Sequence, residues 1–160
     1  MSTAFPTRPE SASESWQFAI VASEYNREYV DGLVRFATEE LYAVAPNSKV
    51  DLVRVPGSFE IPLAVQTAVN RVHPDAILAF GLIFDGETLH ASLIATAVTE
   101  GLLEISLRTG IPVLHEVLVV KNHEQAKARC LLAEINRGTE AARAAIGMLR
   151  ALSQIPERKL

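Results

Sequence analysis

The chain has 160 residues, 49% apolar and 21% charged, with a formal net charge of −4 and a single cysteine. That length suits one compact domain with a real core, and acidic charge of interspersed sign excludes the basic footprint of a nucleic-acid binder. The lone Cys130 excludes an internal disulfide and fits a reducing, cytoplasmic compartment, and no apolar run reaches the ~18–20 residues of a membrane span.

In chain order, residues 1–15 are polar and broken by Pro6 and Pro9, and lack the apolar core of a signal peptide. They read as a flexible tail. Residues 16–23 form a short β-rich apolar run and predict a buried strand. Apolar residues at Val30, Leu33, Val34, Ala37 and Leu41 give helical spacing over 29–43. Pro46-Asn47 marks a turn. A second strand over 50–55 stops at Pro56-Gly57, and a helix over 61–72 tolerates Pro62 in its first turn. The most apolar strand covers 76–84. A long helix covers 89–109, with Gly110 as its C-cap, and a fourth strand covers 113–120 after Pro112. Residues 123–152 are helical, punctuated near Asn136-Arg137-Gly138, and 154–160 read as a C-terminal tail.

Strand and helix alternate throughout, and each strand reads as apolar on both faces. The pattern predicts an α/β flavodoxin-like three-layer sandwich over 16–153, with a four-stranded parallel sheet covered by helices on both faces. Ligands of such sheets bind beyond the carboxyl ends of the strands, and a polar cluster follows each of the four.

After the first strand, Tyr25 and Asn26 either stack on and hydrogen-bond a flat ring or form an ordinary loop into a helix. After the second, Ser58, Phe59 and Glu60 sit at a helix amino end, where free backbone N–H groups bind ligands. Ser58 can equally be an N-cap and Glu60 a dipole-favoured acid. After the third, the run Leu82-Ile83-Phe84 breaks at once into Asp85, Gly86, Glu87, Thr88 and His90. Gly86 permits a sharp bend, and Thr88 is an N-cap or an anion ligand. His90 can move a proton near neutral pH. The fourth group is His115, Arg129, Arg137 and Glu140, in which Arg129 can fork onto a phosphate or simply be a surface residue. Neither G-x-G-x-x-G nor a P-loop is present, and no His or Cys spacing suits a metal.

Taken in order, V-P-G-S-F-E-I-P, G-x-x-x-x-G-E-T-x-H, E-Q-A-x-x-R and N-R-G-x-E resemble the lumazine synthase family over about residues 18–149. The resemblance implies a flavodoxin-like subunit assembled as pentamers, with the site between neighbouring subunits. It implies condensation of 5-amino-6-ribitylaminouracil with 3,4-dihydroxy-2-butanone 4-phosphate, without cofactor or metal. Tyr25 then stands for the aromatic residue that stacks on the pyrimidine, followed by Asn26. Ser58, Phe59 and Glu60 match the segment that holds the ring and ribityl chain. Leu82, Ile83 and Phe84 match the segment whose backbone reads the pyrimidine edge. Glu87 and Thr88 match the phosphate-proximal turn, His90 the general acid/base, and Arg129 the phosphate-binding Arg. Arg137 stands for a family Lys and Glu140 for a nearby acid.

The chain departs from that family pattern at several positions. Asp85 replaces an Arg, His115 replaces a Phe that packs on the pyrimidine, Ala91 replaces an aromatic, and 130–137 lacks the usual glycines. These departures leave a second expectation open, an oligomer that binds flavin or lumazine, or forms a shell, without catalysis.

Overall fold

The computed structural model describes residues 7–156. Its elements are β1 (Gln17–Ser23), α1 (Arg27–Val44), β2 (Lys49–Val55), a single 3₁₀ turn (Ser58–Glu60), α2 (Ile61–Val72), β3 (Ala76–Phe84), α3 (His90–Thr109), β4 (Val113–Val120), α4 (His123–Cys130) and α5 (Arg137–Ser153). The four strands form one parallel sheet in the order β2-β1-β3-β4. β1 and β3 are central because they carry the densest apolar runs. Phe18 to Ala22 and Ala76 to Phe80 have no exposed surface at all.

Connectivity fixes the layers. β1 to β2 steps one way across the sheet, whereas β2 to β3 and β3 to β4 step the other way. Right-handed crossovers therefore put α1 on one face and α2 and α3 on the opposite one. After β4 the chain returns to the α1 face as α4 and α5. One core contains Phe18, Ile20, Leu33, Leu41, Leu78, Phe80 and Ile146, and the other Val21, Ile61, Val65, Ile77, Val98 and Leu102. α5 lies hard against α1. A Cβ on Gly138 would sit 2.2 Å from the Leu33 carbonyl oxygen, so no larger residue fits without parting the helices. Asn136 caps α5 by accepting from the N–H groups of Gly138 and Thr139, and it donates to the carbonyls of Cys130 and Leu132.

Two sequence expectations change. Not every strand is covered on both faces. β2 is an edge strand, paired with β1 alone, and there Leu52 is 47% exposed and Val53 38%. Second, the stretch read as a tail is partly tied down. Residues 1–6 and 157–160 lie outside the described residues, but Ala12 is buried and its N–H donates to the Val44 carbonyl. Arg8 donates to Glu40 through Nε (2.9 Å) and Nη2 (2.7 Å), and Arg143 donates to the same carboxylate at 2.8 Å. Burial alone would raise the pKa of Glu40, but the hydrogen bonds from Arg8 and Arg143 take it below the usual carboxylate range. Among the described residues, no helix is long and apolar enough to cross a membrane.

Candidate active site

The carboxyl ends of β1, β2 and β3 open on one cleft. Its larger part, ≈ 600 Å³, is lined by Tyr25, Gly57, Ser58, Phe59, Glu60, His90, Leu93, Ile94 and Ala97. A contiguous ≈ 330 Å³ part shares Tyr25, Ser58, His90 and Ile94 and adds Asn26, Leu82, Ile83 and Phe84. The larger part is of the size that holds a small ligand. Tyr25 and Phe59, 71% and 61% exposed, stand as unpacked rings at its mouth.

Backbone detail decides between capping and binding at several of these positions. Asn26 sits in the left-handed region (φ 56°) at the start of α1, and its side chain makes no cap. It donates instead to the Leu82 carbonyl at 2.8 Å, tying α1 to the end of β3. Ser58 is buried but is no N-cap: Gly57 and Glu60 hold those positions, and neither makes a side-chain cap. Gly81 makes room for Ser58, since a Cβ there would lie 2.7 Å from the Ser58 hydroxyl oxygen. Thr88 is not the cap of α3 either. Leu89 holds that position, again without a side-chain bond. The helix starts beside the cleft thus lack side-chain caps, whereas α4 and α5, on the other face, are capped by Asn122 and Asn136. Backbone N–H groups left uncapped in this way are what a ligand can use. Gly86 is not required by its backbone. Its φ is not positive, and a Cβ there would meet open space.

The fourth cluster lies apart from this cleft within one chain. His115 is in mid-strand, level with Ala79, not at the end of β4. It faces α3 and lines a separate ≈ 220 Å³ cavity with Thr99, Leu102, Leu103, Ser106 and Val113. Both ring nitrogens are engaged: Nδ1 accepts from the Val117 N–H at 3.1 Å, and Nε2 is 2.8 Å from the Thr99 hydroxyl, which lies 2.7 Å from the Ala95 carbonyl. The neutral Nε2–H tautomer completes that chain with donors and acceptors matched, and burial lowers the His115 pKa in the same direction. Arg129 donates from α4 to the Gln125 carbonyl at 3.3 Å, and Arg137 is ion-paired with Glu140 at the start of α5. Glu87 and Thr88 are exposed between β3 and α3.

The sequence profile of the 6,7-dimethyl-8-ribityllumazine synthase family matches residues 15–153. The chain belongs to that family. It is 36% identical to the 6,7-dimethyl-8-ribityllumazine synthase of Xanthomonas euvesicatoria pv. vesicatoria over 150 residues, covering 93% of this chain and 95% of that one. It is 39% identical to the Stenotrophomonas maltophilia synthase, covering 89% and 93%. For the Halorhodospira halophila synthase the figures are 37%, 90% and 93%. Membership puts the chain among the transferases of riboflavin biosynthesis. In this chain residues of the first three motif clusters line one cleft, Glu87 and Thr88 not among them, and the β4–α5 group does not reach it. Sequence reasoning missed the cleft wall formed by Leu93, Ile94 and Ala97. Those residues sit one and two turns after His90, and helical spacing from His90 was the signal for them. It also missed Glu116, which follows His115 on the opposite face of β4. Burial raises the Glu116 carboxyl to about 7, opposed by Arg137 and reinforced by Glu140.

Proposed function

We propose that the chain condenses 5-amino-6-ribitylaminouracil with 3,4-dihydroxy-2-butanone 4-phosphate to 6,7-dimethyl-8-ribityllumazine, releasing phosphate and water. The observation that carries this reading is the convergence of Tyr25, Ser58, Phe59, Glu60, Leu82, Ile83, Phe84 and His90 on one continuous cleft. Tyr25 offers a ring face to the pyrimidine, the backbone of Leu82 to Phe84 its edge contacts, and Glu60 an acceptor for ribityl hydroxyls. The primary amine adds to the ketone, and water leaves to give an imine. Loss of the C3 proton and of phosphate from C4 then leaves an enol, which tautomerises to a carbonyl at C3, and attack of the ribitylamino nitrogen on that carbonyl, with loss of a second water, closes the ring. His90 moves the protons of imine formation and elimination. Arg129 meets the departing phosphate with a charge-assisted hydrogen bond of about 1.5–3 kcal/mol. Holding the two reactants together supplies much of the acceleration.

Arg129, Arg137, Glu140 and His115 come to this cleft from a neighbouring copy, which makes the working form a homo-oligomer. His115 would then present the face of a ring already fixed by Thr99 and Val117. The second reading, an oligomer that binds flavin or lumazine without turnover, is favoured by one observation. Asp85 puts an exposed carboxylate beside the phosphate turn, where the family pattern has an Arg. The test is lumazine absorbance with both substrates, against buffer and against His90→Ala and Arg129→Ala. The synthase reading expects a rate above buffer that each variant largely abolishes. A rate equal to buffer, with a yellow ligand retained, selects the second reading.

A further inference from the structure

Three rings from three elements meet where β3 ends. Phe84 is the last residue of β3, Tyr29 lies in the first turn of α1, and His123 opens α4. The Tyr29 hydroxyl is 2.8 Å from His123 Nδ1. The His123 ring lies 4.7 Å from that of Phe84, and the Tyr29 ring meets Phe84 edge-on at 6.1 Å. His123 is itself held in place, because Asn122 caps α4 by accepting from the Gln125 N–H, and Gln125 accepts from the Lys121 N–H. Tyr29 belongs to the same turn as Asn26, which grips the Leu82 carbonyl. Leu82 and Phe84 point to the same face of the sheet. One turn of α1 thus holds the last three residues of β3 twice, through the Leu82 backbone and through the Phe84 ring, and His123 closes the second hold.

We propose that His123, through its bond to Tyr29 and its contact with Phe84, is a positioning residue that fixes the end of β3 for the pyrimidine. The inference rests on the synthase reading, in which Leu82 to Phe84 meets the pyrimidine edge. His123 itself does not line the cleft, whereas Phe84 does. The hold acts before Gly86, so it bears on the ring and leaves the phosphate turn and His90 alone. The expected signature is a selective loss of pyrimidine affinity without loss of the chemical step.

The test is steady-state kinetics of the full chain for each substrate, with calorimetric binding of the pyrimidine alone, for His123→Ala, His123→Asn and Tyr29→Phe. His123→Ala is expected to raise KM and Kd for the pyrimidine about five- to tenfold, with kcat and the butanone KM within about twofold. Asn can replace Nδ1 with a donor or acceptor at a similar place, so His123→Asn recovers most of the loss. Tyr29→Phe keeps the ring, removes only the hydroxyl, and shares the defect in a folded protein. The proposal is overturned if the variants bind the pyrimidine like wild type, or if both KM values and kcat worsen together with a fall in Tm. Wild type that neither binds the pyrimidine nor turns over overturns the synthase reading, and the proposal with it.

Discussion

Glu116 gives the clearest quantitative prediction. Along β4, Leu114 and Leu118 join the α1–α5 core, so Glu116 between them points into that layer. Burial raises its carboxyl from the ordinary 4.5 to about 7, with Arg137 opposing and Glu140 reinforcing the shift. The folded state therefore holds this proton more tightly than the unfolded chain. The stability it contributes is fully present below the unfolded value and is lost as pH rises through the folded one. At ~1.4 kcal/mol per pKa unit the whole effect reaches about 3 kcal/mol, of which about 2–3 kcal/mol falls between about pH 5 and pH 8. Glu116→Gln keeps the shape and removes the titration. Chemical denaturation of both proteins at matched concentration and ionic strength should show near-equal stability at the lower pH. The variant should be more stable at the higher one. An equal pH dependence in the two proteins, or a wild type that gains on the variant as pH rises, refutes the reasoning.

Glu40 has the opposite sign. Its carboxyl is held low by Arg8 and Arg143, so its contribution is lost as pH falls through the folded value. Glu40→Ala, which removes the carboxylate that Arg8 and Arg143 share, should cost about 1–3 kcal/mol in denaturation at neutral pH. Gly81→Ala should drive a methyl against the Ser58 hydroxyl, now 2.7 Å from where that carbon would sit. Calorimetry should then show pyrimidine binding weakened at least about tenfold, while circular dichroism stays that of the folded protein. Cys130 is buried and its thiol is pushed up to about 12 by burial, so thiol reagents should label it only after denaturation.

Local pattern made most of the fold legible. The bounds of α2, β3 and β4 follow directly from apolar runs closed by Pro56-Gly57, Pro74 and Pro112, because such runs and breakers act over a few residues. α1 begins at Arg27, two residues before the span that apolar spacing marks from Tyr29, because Asn26 turns the chain through the left-handed region, which apolar periodicity does not report. The exposure of β2 was hidden for a related reason. Leu52 and Val53 read like core, and only strand order shows them on an edge. Thr88 and Ser58 looked like caps because capping is judged from residue type, yet the chain starts each helix a residue or more later. The Arg8–Glu40–Arg143 cluster joins residues far apart in sequence, and no local pattern encodes it. The cleft itself was legible through its motifs, but the separation of His115 and Arg129 from it was not, since motif order carries no distances.

The most direct test of a synthase whose site is shared between copies is complementation. His90→Ala and Arg129→Ala chains carrying different tags are co-expressed, co-purified and assayed with both substrates. Each variant alone has lost one half of every site. In a mixed ring of head-to-tail contacts, about one quarter of the sites regain both halves. Recovery of that order of wild-type activity is the predicted result. Mixed oligomers no more active than either parent, beside an active wild type, contradict a site divided in this way.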